Sequence, residues 1–151
     1  MKYYSYEHFK QDTNKLINTL NSLEIESIVA IARGGLMLSH AISEGLDVRD
    51  VQSLKTEFYD GSKKRDYITI QNNCIFKDVK KVLIVDDISD SGETLKTVID
   101  ELKQKHPEVE FISATLFFKS TSIYEPDFWI NDADEWIEFF WEKDFLYDFK
   151  T

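Results

Sequence analysis

The apolar positions Phe9, Leu16, Ile17 and Leu20, with Thr13 on the same line, recur at the three- and four-residue spacing of one helical face. This predicts a core-covering helix that Ser5 caps and that runs to about Ser22. At Ser27 the pattern changes. Ser-Ile-Val-Ala-Ile-Ala, ending at Ala32, is a continuous run of the kind that forms a parallel strand buried on both faces. Arg33-Gly34-Gly35 turns the chain into a second helix, from Leu36 to Glu44, which Gly45 is expected to terminate. A strand is predicted from Val48 to Glu57, then a polar stretch from Tyr59 to Asp66, then a β-like alternation at Tyr67, Ile68, Thr69 and Ile70.

The run Val82 to Val85 is a further buried parallel strand, and it ends in the pair Asp86-Asp87. After a short polar loop, Leu95, Val98, Ile99 and Leu102 return to helical spacing, so a helix begins near Gly92; Pro107 follows its end. Glu110 to Phe118 completes the core as a last strand. Strands alternating with helices imply an α/β fold with a mainly parallel sheet. The tail from Thr121 to Thr151 breaks this pattern: it is acidic and holds Tyr124, Phe128, Trp129, Trp136, Phe139, Phe140, Trp141, Phe145, Tyr147 and Phe149. So many aromatic rings require burial, most commonly as a small flap on the core.

Length changes the picture only by bounding it. With 151 residues, one domain is expected, long enough for a helix-covered sheet and too short for two. The single Cys74 fits a reducing compartment, and no apolar run approaches the roughly twenty residues of a membrane helix, so the expected location is the cytoplasm, with no membrane partner. A net charge of -10 argues against a broad nucleic-acid surface. An anionic substrate would have to be captured locally, by backbone amides, a metal and a few placed cations.

The chemistry collects at strand ends, where ligands bind in open α/β sheets. Asp86 and Asp87 can accept hydrogen bonds from sugar hydroxyls or hold a hydrated divalent cation. Asp90 to Thr94 can wrap a phosphate: Ser91 and Thr94 supply hydroxyls, Gly92 allows close approach, and the helix start supplies amides. Sugar diol, phosphate and metal together describe a phosphorylated ribose. A plainer reading makes Asp90 a helix cap, but it leaves Asp86 and Asp87 idle. Arg33-Gly34-Gly35 would suit a diphosphate, although most such turns are only tight connections. Gly61 to Arg65 is either a solvated hairpin turn or a mobile lid, and Lys119 is either solvent-facing or a donor to a carbonyl oxygen.

Val82 to Leu95 resembles the phosphoribosyl-diphosphate (PRPP) motif of type I phosphoribosyltransferases: hydrophobic strand, two acids, then acid-Ser/Thr-Gly-x-Thr. Receiver domains also bind magnesium through paired acids, but near the amino terminus, whereas about eighty residues precede the pair here. Three further stretches are similar to the xanthine-guanine branch in the family's order: Ala30 to Leu36 as the pyrophosphate loop, Lys119, and the hood string Trp136-Ile137-Glu138-Phe139-Phe140-Trp141-Glu142. The resemblance implies a five-stranded, mainly parallel sheet flanked by helices, with a core of about residues 1–119 and a small carboxyl-terminal hood of about 120–151. It implies transfer of the phosphoribosyl group of PRPP to a 6-oxopurine, with Mg2+ bridging diphosphate and ribose hydroxyls.

The resemblance also distributes roles. Asp90 would be the general acid/base; Asp86 and Asp87 would hold the ribose, with Asp87 at the metal; Ser91, Gly92, Glu93 and Thr94 would cradle the 5′-phosphate. Arg33, Gly34 and the lid residue Arg65 would hold the diphosphate, and the peptide Arg33-Gly34 is expected to be cis. Lys119 would donate to the 6-oxo group, and Trp136 and Ile137 would sandwich the base. Phe58-Tyr59 stands where the family commonly has Ser-Tyr, and Phe140 where it has proline, departures that bear on lid closure and on the shape of the base pocket. A homo-oligomer, dimer or tetramer, is the expected assembly. The alternatives are a transferase for another base and a non-catalytic PRPP sensor.

Overall fold

The computed structural model describes residues 1–59 and 67–145. Its elements in chain order are β1 (Lys2–Tyr4), α1 (Tyr6–Leu20), a 3-10 turn (Asn21–Leu23), β2 (Ser27–Ala32), α2 (Leu36–Leu46), β3 (Val51–Tyr59) and β4 (Tyr67–Ile70). They continue with β5 (Lys81–Val85), β6 (Ile88–Ser89), α3 (Glu93–Lys105), β7 (Glu110–Ala114), β8 (Phe117–Phe118), β9 (Asn131–Asp132), β10 (Ile137–Phe139) and α4 (Phe140–Lys143). The main sheet has five strands in the order β4-β3-β2-β5-β7, parallel except for the antiparallel β3–β4 pair at one edge. This is the mainly parallel α/β architecture that the hydrophobic pattern predicts.

The continuous apolar strands are explained by a core on each face. Ile28, Leu83 and Val85 point toward α1 and α2, where they meet Leu16, Leu20, Leu38 and Ile42. Val29, Ile31, Val82 and Ile84 point the other way, toward Leu95, Val98, Ile99 and Leu102 of α3. Residues two apart share a face, so both faces of β2 and β5 must be apolar. Ser5 caps α1 as expected, accepting from the His8 amide at 3.2 Å. α2 does not stop at Gly45. It runs to Leu46 and turns at Asp47, which takes a left-handed φ of 53°. Gly45 instead makes room for Ile17 of α1, whose Cγ1 would lie 2.9 Å from an added Cβ.

Two further expectations are corrected. The predicted strand from Val48 begins only at Val51, because the Val48 amide closes α2 by donating to Ser43 O at 2.9 Å. The run from Glu110 to Phe118 is two strands, not one. After Ala114 the chain leaves β5: the Leu116 and Phe117 amides both donate to Asp87 O, at 3.0 and 3.2 Å, and β8 pairs with β6. β9 joins β8 to make a second, three-stranded parallel sheet, β6-β8-β9. The first residues carry no strand pattern in the sequence, yet β1 pairs in parallel with β10, with Lys2 opposite Ile137 and Tyr4 opposite Phe139. Part of the tail's aromatic surface is used here, while Trp136 and Phe145 are exposed and Tyr147 and Phe149 lie outside the described residues. Phe139 and Phe140 are buried, and the Phe140 ring packs edge-on against Tyr6 and Phe9.

Candidate functional site

Every strand that ends at the site delivers a different group. β5 ends in Asp86 and Asp87. The Asp87 amide donates to Asp86 Oδ1 at 2.9 Å, which holds the two carboxylates in fixed relation. Asp87 is buried, and burial pushes its carboxyl up to about 6, with Glu142 adding to the rise. Burial and the neighbouring Asp87 raise Asp86 as well. Two acids held this way suit ligands that bring hydroxyl donors or positive charge.

β6 leads into Asp90, and β8, its neighbour, leads into Lys119. The pairing is continued by the Lys119 amide, which donates to Ser89 O at 3.0 Å, so the two side chains meet with Lys119 Nζ 3.5 Å from Asp90 Oδ1. Asp90 does not cap α3; the cap position is Gly92, at φ 85°, and no side chain bonds there. Only glycine sits comfortably in that conformation, and an added Cβ would also lie 2.7 Å from the Tyr124 amide. The segment after Lys119 braces the loop. The Ile123 amide donates to Ser91 O at 2.9 Å, and Ser89 Oγ donates to Tyr124 O at 2.8 Å. Ser91 Oγ accepts from the Glu93 amide at 3.3 Å, while the Glu93 side chain faces solvent.

β2 ends at the Arg33-Gly34-Gly35 turn. The cis peptide is Ala32–Arg33, one residue before the expected position. Nor are the glycine amides simply bare, since the Gly35 amide donates to Ile31 O at 2.8 Å. The glycines serve close packing against β5: a Cβ on Gly34 would lie 2.6 Å from Asp87 Oδ2, and one on Gly35 would strike the Val85 carbonyl. Arg65 lies outside the described residues.

Three cavities open side by side. One of 270 Å³ lies between Asp87, Asp90 and Lys119 on the core and Asp134, Trp136 and Ile137 on the tail. One of 160 Å³ lies inside the loop, against Ser91, Gly92 and Thr94. One of 940 Å³ runs from Arg33 and Gly34 past Thr94 to Trp141 and Glu142. Asp87 lines all three. Ile137 is buried while Trp136 is exposed at the cavity rim. Glu142, which lines the first and third cavities, received no role from the sequence. Its place at the end of the hood string was the available signal.

Comparison with known proteins gives a consistent picture. The family model described as the phosphoribosyl transferase domain matches residues 2–148. A xanthine-guanine phosphoribosyltransferase of Idiomarina loihiensis is 28% identical over 147 residues, covering 95% of this chain and 88% of that protein. One from Cereibacter sphaeroides is 30% identical over 80% of this chain and 71% of its own length. Among solved structures, the xanthine-guanine-hypoxanthine phosphoribosyltransferase of Helicobacter pylori superposes with a TM-score of 0.89 at 38% identity, covering 95% of this chain and 94% of that one. A purine phosphoribosyltransferase from Pyrococcus horikoshii reaches a TM-score of 0.84 at 29% identity, with 97% of both chains covered.

Proposed function

We propose that this chain, which belongs to the phosphoribosyl transferase family, transfers the 5-phosphoribosyl group of PRPP to a 6-oxopurine (guanine, xanthine or hypoxanthine), releasing diphosphate and a nucleoside monophosphate. The observation that carries the reading is the meeting of three cavities at Asp87, whose lining groups suit three parts of one reaction. The smallest suits the 5′-phosphate: Ser91 and Thr94 offer hydroxyls, and the start of α3 offers amides and the positive end of its dipole. The largest, beside Arg33 and Gly34, suits the diphosphate. The third suits the base.

In the base cavity the Lys119–Asp90 pair has a clear use. Both side chains are about half exposed, 49% and 59%, so their contact is worth no more than about 1 kcal/mol. A purine entering between them exchanges it for two charge-assisted hydrogen bonds of roughly 1.5–3 kcal/mol each, Lys119 to the 6-oxo oxygen and Asp90 to the N7 proton. Ile137 packs on one face of the ring, and Trp136 at the rim covers it. As the ring nitrogen bonds to C1 of the ribose, the bond from C1 to the diphosphate oxygen breaks and Asp90 takes up the proton that the purine sheds. Enclosure by the hood limits water at C1, where a ribosyl cation-like centre would otherwise be hydrolysed.

The carboxylate oxygens of Asp86 and Asp87 are the hard donors that Mg2+ takes, and their raised proton affinity fits a site completed by positive charge. Among the described residues no cluster of three or more ligating side chains could hold an ion alone, so substrate oxygens and water would supply the remaining ligands. Bound there, Mg2+ would offset the negative charge of the diphosphate leaving group. The reading is tested by measuring nucleotide formation from PRPP and Mg2+ with guanine, xanthine, hypoxanthine and adenine offered separately. Turnover with 6-oxopurines and not with adenine is the expected result. Tight PRPP binding without turnover of any base would replace the enzyme with a sensor.

A further inference from the structure

Asp12 is an anomaly in α1. It stands one turn before Leu16 on the core-facing side of the helix and is only 8% exposed, although a buried carboxylate is costly unless its oxygens are satisfied. An apolar residue there would suit the fold as well or better. One of its oxygens, Oδ2, is satisfied from β1 and from β9. Tyr4 donates its hydroxyl to Asp12 Oδ2 at 2.6 Å, and Asn131 donates its side-chain amide to the same oxygen at 2.8 Å. Among the described residues Lys15 is the charged partner beside it, 4.0 Å away and largely exposed. Burial and the bond to Asp12 keep the Tyr4 hydroxyl protonated and donating.

Both donors belong to the walls of the base cavity without lining it. Tyr4 lies in β1 opposite Phe139 of β10, the strand that carries Ile137, and its ring meets Phe117 and Phe139 edge-on at 5.0 and 5.8 Å. Asn131 lies in β9, beside β8. Its backbone amide donates to Leu116 O at 2.9 Å, and the Leu116 amide donates to Asp87 O at 3.0 Å. The strands that Tyr4 and Asn131 fix are therefore those that lead into Lys119 and toward Asp134 and that present Ile137. A short path of hydrogen bonds runs from α1 to Asp87.

We propose that Tyr4, Asp12 and Asn131 form a positioning knot for the base-binding wall, so that the first strand and helix set the affinity for the purine without touching it. The proposal rests on the 6-oxopurine reading above. It treats these three as positioning residues: the acid draws β1, β8, β9 and β10 to one point, and the spacing of Lys119 from Ile137 follows from where those strands sit. The PRPP half of the site hangs on β2, β5 and the start of α3, and the hydrogen bonds that join the knot to it are those of Leu116 and Phe117 to the Asp87 carbonyl.

The test is steady-state kinetics and amide hydrogen exchange on the full chain with Tyr4→Phe, Asn131→Leu, Asp12→Leu and Asp12→Asn. Tyr4→Phe keeps the ring and removes the bond; it and Asn131→Leu should raise KM for the base about five- to tenfold and leave KM for PRPP within about twofold, the loss of one buried hydrogen bond being felt on one side of the site. Asp12→Leu should do the same or more, and Asp12→Asn, which keeps an acceptor oxygen, should recover most of the loss. Exchange should quicken at Ile137 to Phe139 while the amides of β5 stay protected. Equal changes in both KM values, or lower melting temperatures with an unchanged base KM, would overturn the proposal. If the unaltered protein turns over no 6-oxopurine, the functional reading fails, and exchange still decides whether the knot holds the hood: unchanged exchange at Ile137 to Phe139 in Tyr4→Phe would overturn it.

Discussion

Asp87→Asn should make the ligand-free protein more stable near neutral pH. The carboxyl is nearly inaccessible, 9% exposed, and burial raises it from the ordinary 3.8 to about 6. A carboxyl whose folded value lies above its unfolded value favours the folded state below pH 3.8, and that advantage is lost as pH rises through about 6. Converted at about 1.36 kcal/mol per pH unit, the interval corresponds to ~3 kcal/mol. Asparagine has the same shape and no charge to bury. Urea unfolding of the two proteins should therefore show almost no difference at about pH 3.5 and a gain of ~2–3 kcal/mol for the variant at about pH 8. With PRPP and Mg2+ present the order should reverse, because the wild-type acid then has its partners and gains stability by mass action. A gain that is equal at both pH values would show that packing, not charge, sets the difference. A loss at pH 8 would refute the argument outright.

Asp90→Asn should lower turnover by about 10²–10⁴ with little change in PRPP affinity, since proton transfer is lost while the phosphate loop is kept; equal loss of both in single-turnover and binding measurements would make Asp90 an ordinary loop residue. Gly34→Ala would drive a Cβ to 2.6 Å from Asp87 Oδ2, and the displaced carboxylate should cost more than about tenfold in PRPP affinity by calorimetry, with Gly45→Ala, whose Cβ crowds Ile17 of α1 away from the site, as the control that leaves PRPP affinity unchanged. Lys119→Met removes one charge-assisted donor and should reduce kcat/KM for hypoxanthine by roughly 10–100-fold, with PRPP binding intact.

How much of this was legible depended on how local the cause was. Ser27–Ala32 and the run at Val82 to Val85 were readable because each strand is apolar on both faces in its own sequence, whatever it packs against. The cap at Ser5 is a contact over three residues and was equally readable. The split of the run from Glu110 to Phe118 was not: all its residues favour a strand, and the break comes from the Asp87 carbonyl capturing two amides about thirty positions further along the chain. Gly34 and Gly35 were visible as a turn. Their tight fit against Asp87 and Val85 came from the packing of β2 on β5.

Site chemistry divides the same way. Side-chain identity, order along the chain and position at strand ends are properties of the sequence, and they were enough to nominate Asp86, Asp87, Asp90, Ser91, Thr94 and Lys119. Distances, burial and charge state belong to no single segment. The 3.5 Å approach of Lys119 to Asp90 needs β6 and β8 paired, the rise of the Asp87 carboxyl needs the burial that tertiary packing gives it, and Glu142 enters only because α4 brings it to the cavities that Asp87 lines. The first strand shows the limit most sharply. Lys2–Tyr4 carries no usable period in three residues, and its partner Ile137–Phe139 lies at the far end of the chain, so only the closed core could bring Tyr4, Asp12 and Asn131 to one oxygen.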